Sequence, residues 1–278
     1  MKIRLGLLLM IVLGSSRGIA EEVAGMVINV SGAVTLEANG SSVTPTMFSR
    51  IAPRTRIVVA AGGELSVTHY GSKSIYKLSG PAQAVIDADA VQSLGGNAPE
   101  VTPLGEKLAA AANRSQTMTA ASYRMRKLDM AIIPLEPASR TLALGDALSF
   151  SWRSLVPGPF EVTLRRLDGA TPVFSASTAT ESVSLPTELL PLAPGKYEWS
   201  VSVGNAEGGS AKASDRFQIA EAELAAQLQA IRPANGASPE EWALYGKIAQ
   251  SMGFLQEAKS VWRELAAKHP SFQHLPVN

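Results

Sequence analysis

The chain has 278 residues, no cysteine and nearly balanced charge, with 25 Lys and Arg against 24 Asp and Glu. Without cysteine there are no disulfides, thiolate zinc sites or cysteine nucleophiles, so each domain must be stabilised by burial alone. The balanced charge argues against a nucleic-acid partner, because such a partner usually requires a basic surplus. The length leaves room for two or three domains.

Residues 1–20 have the pattern of a secretory signal peptide. Lys2 and Arg4 precede an apolar run at residues 5–13, and small residues lead to Ala20, after which we expect cleavage. A run of this length spans about 14 Å as a helix, against a hydrocarbon core of about 30 Å. The pattern predicts export to the periplasm, with no stable membrane span after cleavage.

The first predicted domain spans residues 21–100, and from residue 23 to about residue 86 it alternates between apolar and polar side chains in short runs separated by glycine turns. The clearest runs lie at residues 26–30, 33–36, 56–59, 64–68 and 74–78. This period of two predicts a compact all-β domain, either a small sandwich or a barrel. Gly62 and Gly63 between two of the runs indicate a tight hairpin.

The order of these features resembles the FecR domain family of periplasmic β-modules. The resemblance rests on a glycine-flanked strand pair at 25–36, an Asn-Gly turn at 39–40, an apolar segment at 51–58 and a hairpin at 65–78. Tyr70 stands where the family usually has a turn aspartate, and Arg54-Thr55 stands where Gly-Asp is common. The resemblance implies ligand or partner binding, with Tyr70, Lys73 and Tyr76 around the turn as candidate contacts.

Residues 101–133 are predicted to be a linker that is partly helical. Apolar positions recur at helical spacing and fall on one face, at Leu108, Ala111, Met118, Ala121, Met125 and Leu128. Arg114, Arg124, Arg126 and Lys127 make the segment basic, which would suit contact with an anionic surface. A linker helix lying against a neighbouring domain is favoured, because alanine fills much of the apolar face.

Residues 134–219 return to strand patterns, as at 147–152, 160–164, 197–203 and 216–219. Roughly seven short strands with Pro-Gly and Asp-Gly turns are typical of an immunoglobulin-like or fibronectin-type sandwich. The segment 192–199, in which a turn leads into Tyr-x-Trp, resembles the late strand of such domains. Trp152 and Trp199 alternate with polar neighbours, so we expect a core pair and not a sugar-binding platform.

Residues 220–278 are predicted to be helical, with one amphipathic helix at 222–231 and a second start at Ser238 and Pro239. Residues 239–272 resemble a single tetratricopeptide repeat, with matches at Trp242, Tyr245, Gly246, Gly253, Ala258, Trp262 and Pro270. Trp242 and Tyr245 are the candidate partner contacts of this region. A single repeat cannot bury its own apolar face. It must pack on the preceding helix, on a partner protein or on a second copy, which leaves a homo-oligomer open.

The sequence offers no constellation of residues for catalysis. His69 is expected to face solvent, and His269 and His274 are separated by a proline and make a poor metal pair. Asp87 and Asp89 lack the further oxygen donors that calcium needs. We therefore expect no catalytic, cofactor or metal site.

The patterns as a whole predict a mainly β protein with a helical C-terminus: a FecR-like β-domain, a linker helix, an immunoglobulin-like sandwich and a helical hairpin. They favour a non-catalytic exported interaction or sensing protein of the bacterial envelope that binds a protein partner or ligand. The alternative is a module that binds cell-wall polymer or another polysaccharide.

Overall fold

The computed structural model describes residues 23–115, 131–139, 141–204 and 210–276, so the expected leader lies outside the described residues. The described chain forms two β-sandwiches and a C-terminal group of helices. This architecture confirms the predicted mainly β protein with a helical C-terminus. Within the described ranges, no helix is long and apolar enough to cross a membrane.

The first sandwich is built from ten short strands, and the five strands that the sequence indicated are all present. They are β1 Gly25–Ser31, β2 Val34–Ala38, β3 Ser41–Val43, β4 Arg50–Ile51, β5 Thr55–Val59, β6 Glu64–His69, β7 Ser74–Ser79, β8 Ala82–Ile86, β9 Val91–Gly96 and β10 Glu100–Pro103. Sheet 1 has the strand order β10-β7-β6-β1-β4, and sheet 2 has the order β3-β2-β5-β8-β9.

Period-two alternation decides which side chains fill this sandwich. Leu65 and Val67 of β6 lie in the core between the two sheets, and Ser66 and Thr68 lie on the opposite face of sheet 1. The sequence predicted a hairpin at Gly62, and this prediction is wrong. Gly62 does have the positive φ, +77°, that a tight turn requires. The strands on either side of this turn, β5 and β6, belong to different sheets. The turn therefore carries the chain from one layer to the other.

The predicted linker contributes the helix α1, Glu106–Ser115. Leu108 and Ala111 are buried as expected, and they join a core that also contains side chains of the C-terminal helices. This helix is therefore a packed part of the molecule. The remaining positions of the predicted helix face, from residue 116 to 130, lie outside the described residues.

The second sandwich has eight strands. They are β11 Ile132–Glu136, β12 Leu142–Ala143, β13 Ser149–Ser154, β14 Phe160–Arg166, β15 Pro172–Thr178, β16 Ser182–Ser184, β17 Gly195–Gly204 and β18 Ser210–Ile219. Sheet 3 has the order β11-β13-β16, and sheet 4 has the order β12-β18-β17-β14-β15. A short 3-10 helix, Thr187–Leu189, lies between β16 and β17.

The predicted tryptophan pair forms the centre of the second sandwich. Trp152 and Trp199 are 2% and 0% exposed, with ring centroids 6.4 Å apart. The Tyr197 hydroxyl donates to the Ala193 carbonyl at 2.9 Å, a contact of the kind called a tyrosine corner. Trp152 lies in sheet 3 and Trp199 lies in sheet 4, so their aromatic contact, worth roughly 0.5–1.5 kcal/mol beyond burial, joins the two sheets.

The C-terminal region consists of α2 Ala222–Ala230, α3 Pro239–Ser251, α4 Leu255–Lys268 and a 3-10 helix Pro270–Phe272. The predicted start at Ser238 is confirmed, because its hydroxyl accepts from the Glu241 amide and the Glu241 carboxylate accepts from the Ser238 amide. Gly253, with φ of +93°, makes the turn between α3 and α4. These two helices pack together as a hairpin.

The first sandwich covers the apolar face of this hairpin. Met26, Ile28, Tyr70 and Ile75 of sheet 1 share one buried cluster with α1, α2, α3 and α4. Burial of a large apolar side chain contributes roughly 1.5–3 kcal/mol, so this shared core is a substantial part of the stability. The hairpin is covered within the chain, which is one of the three ways of covering it that the sequence left open. The cover includes sheet 1 and α1 in addition to the helix at 222–231.

The hairpin also contacts the second sandwich. The Leu142 amide donates to the Gly253 carbonyl at 2.9 Å, and the Gln256 side chain donates to the Ser149 carbonyl at 3.0 Å. Glu136 of β11 forms ion pairs with two basic residues of α4, at 3.2 Å and 3.0 Å. The helical hairpin therefore links the two sandwiches.

Candidate interaction surfaces

The β6–β7 hairpin carries three of the five contact residues that the sequence indicated, Tyr70 and Lys73 in the turn and Tyr76 in β7. Tyr70 and Tyr76 are 8% and 7% exposed, whereas Lys73 is exposed. Tyr70 packs in the core shared with the helices, and Tyr76 packs between the two sheets. The structure thus corrects the expected partner contact for both tyrosine rings. Alternation turns them to opposite faces of sheet 1, and both faces are covered.

His69 holds this turn from inside the protein. Its imidazole is 0% exposed, which corrects the expected solvent-facing position. Nε2 lies 2.9 Å from the Asp87 carbonyl oxygen, and Nδ1 lies 3.0 Å from the Ser72 amide nitrogen. We assign the proton to Nε2, because a carbonyl can only accept and an amide can only donate. Only glycine fits at position 71, beside the ring, because a Cβ there would lie 2.2 Å from the Ala88 carbonyl oxygen.

The seam between sheet 1 and α3 brings Arg50 close to Tyr70 and to Lys247. Burial raises the pKa of Tyr70 to about 12, and the Arg50 charge opposes this rise. Burial, and then the Arg50 charge, lower the pKa of Lys247. The Lys247 ammonium lies 5.1 Å from the ring centroid of Phe48 and donates to Gln250 Oε1 at 2.9 Å. The seam is therefore a packed contact within the protein.

Tyr245 and Trp242 lie three residues apart on α3 and differ in exposure. Tyr245 is 0% exposed, and its hydroxyl donates to Glu257 Oε1 at 2.9 Å. Burial, followed by the Glu257 charge, raises the pKa of Tyr245. The structure corrects the expected partner contact for Tyr245. Trp242 remains partly exposed, and its ring meets the Tyr245 ring edge-on at 5.9 Å.

Arg232, which the sequence patterns did not single out, covers the Trp242 ring. Its guanidinium carbon lies 5.7 Å from the Trp242 ring centroid, and its Nη1 lies 3.1 Å from Glu257 Oε1. We call Trp242, Arg232 and Glu257 the tryptophan patch. Arg232 follows α2, Trp242 lies in α3 and Glu257 lies in α4. Only the packing of three helices brings these residues together, so no local spacing pattern could indicate them.

The outer strand of sheet 2 forms a second exposed feature. Residues 92–96 of β9 are all exposed, and Leu94 is 55% exposed. A groove of about 430 Å³ runs beside β9, with Val58, Gln83, Gly95 and Gly96 among its lining residues. Neither β9 nor the groove lining carries a charged side chain. The sequence patterns missed β9 because its glycine pair interrupts the alternation.

The outer face of sheet 4 is a flat polar surface. Ser175, Thr163, Ser200 and Ser214 are directly opposite one another on four neighbouring strands. Beside this row, Glu198 accepts hydrogen bonds from one arginine of β14 and one of β18, at 2.5 Å and 2.8 Å. These hydrogen bonds lower the pKa of the Glu198 carboxyl. The face carries hydroxyl groups and paired charges on a rigid sheet.

The acidic residues considered as metal ligands stay apart. Asp87 Oδ1 accepts from the Ala88 amide at 2.9 Å, which is a local turn contact. In the ranges that the structure covers, no three acidic or histidine residues come together in a way that could hold a metal ion.

The fold and its surfaces define a class of protein with two β-sandwiches joined by a helical hairpin. No protein-family model and no curated protein sequence matches the chain. Among solved structures, the chain is similar to CopC from Methylosinus trichosporium OB3b at 13% identity and a TM-score of 0.26, over 32% of this chain and 92% of CopC. It is also similar to the extracellular domain of a hybrid two component system from B. thetaiotaomicron. That match has 10% identity and a TM-score of 0.25, over 65% of this chain and 27% of the other.

Proposed function

We propose that this chain is an exported, non-catalytic interaction protein of the bacterial envelope that binds a protein partner through the tryptophan patch. Export and a periplasmic location rest on the leader pattern at residues 1–20. In this proposal residues 21–100 act as a FecR-like module, residues 134–219 as an immunoglobulin-like sandwich and residues 239–272 as a tetratricopeptide-like repeat.

The exposure of Trp242 is the observation that carries the proposal. The other three tryptophans, Trp152, Trp199 and Trp262, are 2%, 0% and 1% exposed. Trp242 is partly exposed, and a partner could cover the part of the residue that stays in contact with water. Large aromatic residues are favoured at interfaces because they bury much apolar area at a small cost in side-chain entropy.

The neighbours of Trp242 support partner binding. Tryptophan and arginine are the residue types most enriched among those that dominate binding energy, and here Arg232 lies over the indole. The Arg232–Glu257 ion pair holds the guanidinium in place. A partner could therefore bind the patch without ordering a mobile arginine, and such preorganisation improves affinity.

Partner capture tests this proposal. The mature chain, immobilised, is incubated with an envelope extract of the source bacterium, and captured proteins are identified and quantified. We expect a specific protein whose capture falls about tenfold or more in Trp242→Ala and in Arg232→Glu, because such residues are worth about 2 kcal/mol or more. Leu155→Ala is the matched control, since Leu155 is 82% exposed and lies in the second sandwich. Equal capture by wild type and Trp242→Ala would refute the role of the patch.

The polar face of sheet 4 favours the second candidate, binding of cell-wall polysaccharide. Its row of Ser175, Thr163, Ser200 and Ser214 offers donors and acceptors that match sugar hydroxyl groups. Sedimentation with purified peptidoglycan at low and high salt tests this candidate. Binding that persists at high salt and is lost in the double variant Thr163→Val, Ser200→Ala would support it. Absence of sedimentation would remove it.

A further inference from the structure

We propose that two copies of this chain associate by pairing their β9 strands antiparallel, which joins sheet 2 of one copy to sheet 2 of the other. Such an interface is isologous, because both copies contribute the same strand about a twofold axis. The surface is separate from the tryptophan patch, so loss of self-association would leave the partner-capture assay interpretable.

The first reason is that β9 lacks the Lys, the Pro and the short length that usually block a sheet edge, although the register of its pairing with β8 shifts at Leu94. An outer strand presents unpaired N–H and C=O groups, and natural proteins protect it with Lys, Pro, a short length or a covering segment. β9 has six residues with no Lys and no Pro, and among the described strands only β8 pairs with it. By contrast β3 has three residues, β4 has two, and β10 ends in Pro103.

The second reason is that β9 complements itself in shape. Leu94 projects an apolar side chain that is 55% exposed, and the following residues, Gly95 and Gly96, have none. A Cβ added at Gly95 would meet no atom within 4 Å, so the space above its backbone is open. In an antiparallel pair Leu94 of each copy can lie over the glycine backbone of the other. This contact would cover the exposed leucine and part of the neutral groove.

The third reason is electrostatic. The strand and the groove beside it have no charged side chain, so antiparallel self-pairing places no like charges opposite each other. The formal net charge of the chain is +1, so two copies repel each other weakly.

The fourth reason is that the edge is held in place before any partner arrives. Asn97, which follows β9, donates its amide to the Pro81 carbonyl at 2.9 Å and its side chain to the Ser79 carbonyl at 3.0 Å. These bonds fix the end of the strand to the β7–β8 turn. Association therefore requires little ordering of the edge.

Sedimentation equilibrium of the mature chain tests the proposal. We expect a monomer–dimer equilibrium. Leu94→Lys should raise the dimer dissociation constant by about tenfold or more, because it removes the apolar contact and places two lysines near the twofold axis. Leu155→Lys is the matched control and should leave the equilibrium unchanged, since Leu155 lies in the second sandwich. A monomer at every concentration, or equal effects of the two variants, would overturn the proposal.

Disulfide trapping gives an independent readout, because the chain has no cysteine of its own. Gln92→Cys and Ser93→Cys, which precede the register shift at Leu94, cover both alternating positions of the strand, and directly opposed residues have Cβ atoms about 4.5–5.5 Å apart. We expect at least one of them to form a covalent dimer on mild oxidation. Ser177→Cys, on the outer strand β15 of sheet 4, is the control. Equal cross-linking of all three variants would show unspecific collision and contradict the proposed pairing.

Discussion

Replacing Gly246 by alanine separates the effect of helix propensity from the effect of packing. A Cβ at Gly246 would lie 2.3 Å from Trp262 Nε1 and 2.8 Å from Trp262 Cδ1, which is far inside van der Waals contact. Trp262 is 1% exposed, and its ring centroid lies 5.6 Å from that of Phe48. The indole therefore cannot shift without disturbing the contact between α4 and the first sandwich.

The two effects predict opposite signs for this substitution. Alanine inside a helix is favoured over glycine by about 0.5–1 kcal/mol, whereas overpacking a core usually costs about 1–3 kcal/mol. Because the clash involves the ring of a buried tryptophan, we expect packing to win, with a net loss of about 1–2 kcal/mol in the free energy of unfolding.

Urea unfolding followed by the helical circular dichroism signal measures this loss. Gly204→Ala is a suitable control, because the added methyl group meets open space and should change the free energy by less than about 0.5 kcal/mol. A Gly246→Ala variant that is as stable as wild type, or more stable, would contradict the close packing of α3 against α4 at this position.

Four further perturbations test other parts of the structure. Tyr197→Phe removes the tyrosine-corner hydrogen bond and should lower stability by about 0.5–1.5 kcal/mol in urea unfolding; an unchanged midpoint would mean that the bond contributes nothing. His69→Ala removes a fully buried side chain and leaves the part-buried Ser72 amide and Asp87 carbonyl without their imidazole partner, so we expect a loss of about 2–4 kcal/mol, and a loss below about 1 kcal/mol would contradict the buried position of the ring. The folded-state pKa of Glu198 lies below its unfolded-state value, so its ion pairs stabilise the fold above the unfolded pKa, and this stabilisation disappears as the pH falls through the folded pKa. Glu198→Gln should therefore flatten the acid limb of the stability–pH curve by up to about 1 kcal/mol, and an acid limb identical to that of wild type would count against the ion pairs. Deleting residues 239–278 should expose the covered face of sheet 1, so we expect the truncated chain to bind a hydrophobic dye and to lose its cooperative unfolding transition. A truncated chain that unfolds cooperatively and binds no dye would show that the first sandwich folds alone.

Sequence patterns were most informative where a side chain's position depends on its near neighbours. Alternation along residues 197–203 placed Trp199 in the core, and the structure confirms this. Ser238 and Pro239 marked a helix start, and the capping box is present. Both features depend on contacts within a few residues, which the sequence shows directly.

Residues at contacts between distant segments were predicted less well. Alternation also applies to Tyr70 and Tyr76, but it does not show what covers the two faces of sheet 1. Sheet 2 covers the face of Tyr76, and helices that include α2, α3 and α4, more than 150 positions away, cover the face of Tyr70. His69 is buried because the β8–β9 turn lies against it, and that turn belongs to the other sheet.

The sequence by itself determined the class of elements, the tryptophan core of the second sandwich and the start of the helical hairpin, because these follow from local periodicity and capping chemistry. The tertiary structure alone decided what the hairpin packs on, which aromatic residues reach the surface and which sheet edge stays open. Those properties depend on packing between elements far apart in the chain, and no local spacing encodes which apolar faces will meet.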